Sequence, residues 1–443
     1  MIKCVHKKER EKMQSRKSRA ASLLAVSALV LAGCAATTDS SDEETSTGSG
    51  DSGNSSASTD PVTITWWDNQ QTESGLSEFQ QIAVDRFMAE NPDVIVEVET
   101  IPYPEYQQRL QLAVQGGTSP TVATVDQIWT AGLAAGGNII SLDDYVSGSS
   151  VVSEENFFSG AWESAVIEGQ VFGVPFNVDV WQFTFYNKEL LDAAGVDPDS
   201  LTSWEGLEAA GEALTSNGQF GIGLFGHMGE DTVVVMDSFI FSNGGEVLDS
   251  SGRCALNEPE SVEALEYLAR IQQYAPSGIL NNSSGSMREL FLNGSLATEF
   301  WPALEQPTLQ DSDIDWGFVA GTAPEGKTPV GTYGGWNLAM FADASEAERD
   351  AAWRFIEFIT SPEVNGDVVD LLPANIEAAE AFVEANREGP DVILEHLNNS
   401  KPRPLSENYL ELSTIQNEMF QSILNGENAQ SAADEACTAI DNL

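Results

Sequence analysis

The sequence predicts two α/β lobes, each a mostly parallel sheet flanked by helices, on three observations. At 443 residues the chain exceeds the roughly 250–300 residues beyond which one hydrophobic core stops growing. Between residues 62 and 126 the apolar pattern switches repeatedly between strand alternation and helical spacing. After residues 168–197 the same alternation restarts.

The elements follow in order. VTITW (62–66) alternates and is β-branched, which predicts a strand; a helical pattern through Leu76, Phe79, Ile82, Ala83 and Phe87 stops at Asn91-Pro92. A strand VIVEVETI (94–101), a helix over 103–117 and a strand TVATVD (121–126) complete the first run. In such sheets ligands lie beyond the carboxyl ends of strands, here Trp66, Trp67, Asp68 and Asn69 after the first strand and Gln127 after the third. The second run reads helix 203–214, strand FGIGLFG (220–226) and helices near 231–243 and 261–275. Residues 290–306, 314–321 and 332–341 are apolar and β-rich. The last hundred are helical; one helix opens on a capping box, Ser345 to Glu348, and the last begins near Glu407.

The N-terminus predicts export. A basic stretch followed by AASLLAVSALVLAG (20–33) has the layout of a secretory signal peptide, too short for a membrane span of about 20 residues. Met13 would also serve as a start. LAGC, Leu31 to Cys34, resembles a bacterial lipobox, which implies a lipid on Cys34 and a folded body held on the outer face of the cell membrane. Residues 35–60 carry no large apolar side chain, so burial cannot offset chain entropy and the segment reads as a disordered tether. Of the cysteines beyond Cys34, Cys254 and Cys437 are expected to form a disulfide in an oxidising compartment; two free buried thiols are the alternative.

Charge and motifs exclude several functions. From Cys34 onward 12 basic face 67 acidic side chains, a formal charge of −55, which repels nucleic acid, anionic headgroups and phosphorylated ligands. Neutral or cationic ligands remain. His227 and His396 have no metal-ligand partner at helical spacing, and neither GxSxG nor HExxH occurs, so no metal, cofactor or nucleophile is expected. A GxGxxG at Gly221, Gly223 and Gly226, with Glu246 beyond it, follows a turn rather than a strand, and Ile222, Leu224 and Phe225 make the segment itself a buried strand. Carboxylate pairs, the signature of glycosidases, arise by chance among so many acids.

The aromatic residues carry the sharper signal. Trp66-Trp67-Asp68-Asn69, Glu299-Phe300-Trp301-Pro302 and Tyr333-Gly334-Gly335-Trp336-Asn337 place Trp at strand ends among polar groups and glycine. A sugar ring has an apolar C–H face and a rim of hydroxyls, so flat aromatic platforms beside planar amides and carboxylates suit it. Trp162, Trp204, Trp316 and Trp353 read as packing; Trp67, Trp301 and Trp336 read as ligand residues.

The order of LAGC, VTITWWDNQ, GQVFGVPFNVDVWQFTFYNKELLDAAGV, LFLNGSLATEFWPALEQ, GGWNLAMF and WRFIEFITSPE resembles the family 1 extracellular solute-binding proteins of ABC importers, the maltose and multiple-sugar binders. The resemblance covers 61–443. It implies hinge crossings between the lobes, a sugar in the cleft, closure read by a membrane permease, no catalysis and a monomer. By position, Trp67, Asp68 and Gln127 would line the first wall, Asn177 and Asp179 would meet hydroxyls from the first crossing, and Trp301 would stack from the second lobe. Gly335 and Trp336 would give a close backbone approach and another platform, with Arg403 at the cleft. The implied lobes are 61–176 with about 305–360, and 177–304 with about 361–443. The ligand is expected to be a carbohydrate, an oligosaccharide rather than a monosaccharide. A cationic or peptide ligand is the first alternative, and a cell-surface carbohydrate-active enzyme the second.

Overall fold

The computed structural model describes residues 60–69, 78–216, 218–369 and 371–443. The leader, Cys34 and the tether through Thr59 lie outside the described residues. The strands run β1 (Val62–Asp68), β2 (Val94–Thr100), β3 (Val122–Asp126), β4 (Val166–Ile167), β5 (Gln170–Val171), β6 (Val174–Val180) and β7 (Phe183–Asn187). They continue as β8 (Phe220–Gly223), β9 (Leu296–Trp301), β10 (Trp316–Val319), β11 (Thr332–Met340), β12 (Leu372–Pro373) and β13 (Lys401–Pro402).

Two sheets define two lobes. The first has the order β12-β6-β11-β3-β1-β2, with β13 on β11; the second has the order β10-β7-β9-β8; β4 and β5 form a separate hairpin. β1 runs parallel to β2 and β3, whereas β11 lies antiparallel to β3 and β6. In the second sheet β8 and β9 are parallel and the other pairs antiparallel. The α/β class holds, but the sheets are mixed where alternation predicts mostly parallel ones. The cause lies in the crossings: β6 passes to β7 through Trp181 and Gln182 alone, and β11 enters from β10 with no helix between. Strands joined this way escape the crossover rule that keeps βαβ units parallel.

Sheet membership also moves the lobe boundaries. β10 belongs to the second sheet although 305–360 is expected in the first lobe, and β12 and β13 belong to the first sheet although 361–443 is expected in the second. The crossings after β10 and β13 have the composition of ordinary loops, so no local pattern marks them, whereas the first lies directly after Asn177 and Asp179, where the motif resemblance implies one. A third crossing runs from β13 through Arg403 to the helix Tyr409–Leu424, which packs on the last helix, Ala429–Ile440, and on the second-lobe helix Glu230–Ser242.

Each lobe is built around aromatic side chains. Strand alternation turns Ile64 and Trp66 inward; Trp66 meets Phe176 edge-on at 6.1 Å and Phe355 at 5.4 Å. Phe355 sits on the helix Glu346–Ile359, which starts on the capping box of Ser345 and Glu348. In the second lobe Trp204 stacks on Tyr267 at 4.2 Å, and the Tyr267 hydroxyl donates to the Trp204 carbonyl at 2.7 Å. Truncating any one of these rings to alanine costs about 3–5 kcal/mol. Two segments differ from the sequence reading: residues 290–292 close a helix, Ser284–Leu292, and the strand expected to reach 226 stops at Gly223.

Cys254 and Cys437 are joined by a disulfide, Cα to Cα 5.0 Å, which ties a second-lobe turn to the last helix across 183 residues of chain. Cross-linking so long a loop removes much of the freedom of the unfolded chain. Cys437→Ser is expected to cost about 2–5 kcal/mol, and reductant should lower the melting temperature of the wild type but leave the variant unchanged. Equal melting curves for wild type with and without reductant would refute this.

Candidate functional site

The carboxyl ends of β3 and β6 flank the amino-terminal half of β11, which runs antiparallel between them in the first sheet. Trp336 pairs with Asp126 on one side and Asn177 on the other, and Gly334 pairs with Asp179. Directly paired residues share a face of a sheet, so Asn177, Trp336 and Asp126 form one row. Gly335 makes the row possible: its φ of +122° lies outside the range of L side chains, and a Cβ there would collide with the Asn177 carbonyl. Trp336 is nearly buried, flanked edge-on by Tyr103 at 5.6 Å and Trp129 at 5.8 Å.

This row holds unused hydrogen-bonding capacity. The Asn177 Oδ1 and both amide atoms of Gln127, the residue that opens the helix after β3, are buried without a hydrogen-bond partner. Asn69, at the end of β1, has a buried Nδ2 in the same condition. Buried amides are normally satisfied, and each unsatisfied group costs about 1–3 kcal/mol. A cluster of them at strand ends is the signature of groups kept for a ligand or ordered water.

Charge gathers on Arg403. The guanidinium is buried; Nη2 donates to Asp126 at 2.9 Å and Nη1 donates to Glu230 at 3.2 Å. Asp126 belongs to the first sheet, whereas Glu230 opens the second-lobe helix Glu230–Ser242. Tyr409 donates to Glu230 at 2.8 Å, Ser413 also donates to Glu230, and the Tyr409 ring lies 5.7 Å from the guanidinium. Burial alone would lower the Arg403 pKa, but Asp126, Tyr409 and Glu230 more than offset it, so the cation is firmly held. Asp126 is raised by burial against the pull of Arg403, and burial followed by the Asp126 charge pushes the Tyr103 hydroxyl up to about 12.

Asp179 is different. Burial first and Glu305 second push its carboxyl up to about 8, so at neutral pH it holds a proton and both donates and accepts. Glu305 pairs with Arg288, and Arg387 is lowered by burial while the Asp179 charge opposes that shift. On β9, Glu299 and Trp301 point to the same face; both Glu299 oxygens and the Trp301 Nε1 are buried without partners, and Glu299 is raised well above the ordinary range by burial.

The structure thus gathers Gln127, Asn177, Asp179, Gly335, Trp336 and Arg403, while the remaining expected site residues stand apart. Trp67 points to the opposite face of β1 from Trp66, with the Arg109 guanidinium 5.2 Å over its ring. Asp68 accepts from Thr124 at 3.1 Å, and Thr124 in turn accepts from the Trp66 indole at 3.0 Å. Trp301 shows no exposed face: it packs edge-on against Phe291 at 5.1 Å and tilts against Phe185. Its ring acts as core in this state and only its N–H remains available. Trp204, Trp316 and Trp353 pack against Tyr267, Phe185 and Tyr145. Among the described residues no acidic, His or Cys group is arranged to hold a metal, and no helix is long and apolar enough to cross a membrane.

Sequence reasoning missed Tyr103, Trp129, Asp126 and Glu230. The first three follow from the strand-end rule carried one step further, since Tyr103 opens the helix after β2 and Trp129 lies in the helix after β3. Glu230 had no signal, because its partner is 173 residues away.

Two outcomes test these electrostatics. Arg403→Met leaves Asp126 buried and unpaired and should cost about 3–5 kcal/mol in urea unfolding, part of it regained on adding Asp126→Asn. A loss below about 1 kcal/mol would place the pair with weak surface bridges. The unfolded Asp179 carboxyl titrates near 3.8 and the folded one near 8, so stability contributed there falls as pH rises through that window. Asp179→Asn should therefore melt progressively higher relative to wild type between pH 5 and pH 8; a constant difference would contradict a buried, protonated Asp179.

Comparison with known proteins adds the following. The family model of bacterial extracellular solute-binding proteins matches residues 69–366. A putative binding protein of Brucella abortus is 23% identical over 349 residues, covering 77% of this chain and 83% of its own. A maltotriose-binding protein of Pyrococcus abyssi is 26% identical over 306 residues, covering 67% and 62%. The crystal structure of a cyclic alpha-maltosyl-1,6-maltose binding protein from Arthrobacter globiformis superposes with a TM-score of 0.76 at 22% identity, over 86% of this chain and 100% of that one. At that identity the likeness speaks for the two-lobed fold.

Proposed function

Because this chain belongs to the bacterial extracellular solute-binding proteins, we propose that it is the carbohydrate receptor of an ABC importer, capturing an oligosaccharide between its lobes and presenting the closed form to a permease. The family consists of binding proteins rather than enzymes, and relatives of this chain bear names for binding maltotriose and arabinooligosaccharides.

The observation that carries the reading is the partnerless Asn177 Oδ1 beside Trp336, with the partnerless Gln127 amide on the residue that follows Asp126, the other partner of Trp336. A sugar offers hydroxyls that both donate and accept, so it can satisfy the Asn177 Oδ1 and both ends of the Gln127 amide at once, while a C–H face lies against the aromatic cluster. Asp179, protonated at neutral pH, adds a donor without adding charge. That also weighs against a cationic ligand, which needs ionised carboxylates in the wall. Closure is part of the proposal. Ligand groups that touch both lobes are bound only in the closed state, so sugar shifts the open–closed balance by its differential affinity. Leader, lipidated Cys34 and tether fit a monomeric receptor held on the outer face of the membrane, free to move within the tether's reach; these belong to the proposal.

Neutral oligosaccharides should quench or shift Trp fluorescence and raise the melting temperature, with the sugar recovered intact. Trp336→Ala should weaken that binding roughly 10- to 100-fold, about 1.4–2.8 kcal/mol. Stabilisation by spermidine or peptides with no response to sugars would refute the carbohydrate reading, and cleaved sugar would point to an enzyme. Normal binding by Trp336→Ala would displace the site.

A further inference from the structure

Beside the candidate site lies a groove of about 650 Å³ between the helices Tyr103–Gly116 and Gln127–Ala135 of the first lobe and the start of the helix Tyr409–Leu424. Its lining includes Trp129, which touches Trp336, and Tyr409, which donates to Glu230. The groove therefore borders the site. Its volume falls within the roughly 300–1,000 Å³ of small-molecule sites.

The lining has an order that packing does not need. Gln107, Gln111 and Gln115 recur every four residues and so form one stripe along the helix, a ladder of amides roughly 12 Å long. Gln107 is half-buried, and Gln111 and Gln115 are exposed. Leu110, Val114 and Leu133 supply an apolar floor, and Leu410, 45% exposed, forms the opposite rim beside Glu411. A planar amide ladder over an aliphatic floor, with an indole in its wall, has the chemistry that reads alternating hydroxyls and C–H faces. A peptide would instead leave its own backbone groups to pair, and no open strand edge lines this groove.

We propose that this groove is an outer subsite for the distal rings of a neutral oligosaccharide whose first rings occupy the cleft, so that the receptor selects for chain length. The proposal rests on the carbohydrate reading above. It assigns Gln111 and Gln115 as specificity-determining residues that touch only the part of the ligand outside the cleft. Both are exposed on a helix and replaceable by alanine, a better helix former, without disturbing the core.

The experiment is a titration of the full chain, monitored by calorimetry, with ladders of linear gluco-, xylo-, arabino- and manno-oligosaccharides from disaccharide to heptasaccharide. In wild type, affinity in the recognised series should climb at least about tenfold from the disaccharide to the longer chains, a gain of about 1.4 kcal/mol. Gln111→Ala combined with Gln115→Ala should erase several-fold of that climb and leave the disaccharide unchanged. Length-independent binding in wild type, or a variant that weakens short and long chains equally or neither, overturns the groove while sparing the cleft. If no member of any ladder binds, the carbohydrate reading falls and the groove with it.

Discussion

Arg403 lies in a chain crossing, buried, with one carboxylate from each lobe on its guanidinium. A buried cation survives only when paired and hydrogen-bonded, so this contact fixes where the end of β3 can sit relative to the helix that starts at Glu230. Asp126 completes the constraint from below, because the same carboxylate accepts the Ile128 amide that starts the next helix. Gln127 and Trp129 are thereby placed by the bridge. Their positions set those of the unpaired amide and of the aromatic cluster around Trp336. A change that weakens the bridge reaches the site without touching it.

The geometry also explains how the site keeps its polar groups buried. Gly335 lets β11 press against the Asn177 backbone, where a side chain would collide with the Asn177 carbonyl. Trp336 covers the row, and Tyr103 and Trp129 hold Trp336 edge-on. Asp179 answers the loss of water by keeping its proton. A row built in this way carries hydrogen-bonding groups at a standing cost, which a ligand with matching hydroxyls offsets. That cost is tolerable because large aromatic cores on both sides supply the stability.

The α/β class and most of the element order were legible in the sequence, because strand alternation in VTITW and the Ser345–Glu348 capping box are local signals. The mixed sense of the sheets was not, since the direction of β11 depends on a crossing whose residues look like loop. Site reading divided the same way. Asn177, Asp179, Gly335 and Trp336, named from strand ends and motif resemblance, fall on the paired strands β6 and β11. Trp301 shows the limit: a Trp next to Pro302 at a strand end reads as a platform, but Phe291 and Phe185 enclose its ring. Whether a large ring faces a cleft or a helix is decided by elements far away in sequence. Arg403 illustrates the reverse, a residue named for the cleft whose two terminal nitrogens are occupied by carboxylates.

What unites these features is an equilibrium between lobes that a neutral sugar would shift. The measurement that addresses it most directly is small-angle X-ray scattering of the folded receptor titrated with the oligosaccharide that most raises its melting temperature. The account predicts a saturable fall in radius of gyration that Trp336→Ala shifts to higher sugar concentration. An unchanged radius at saturating sugar would contradict capture by closure.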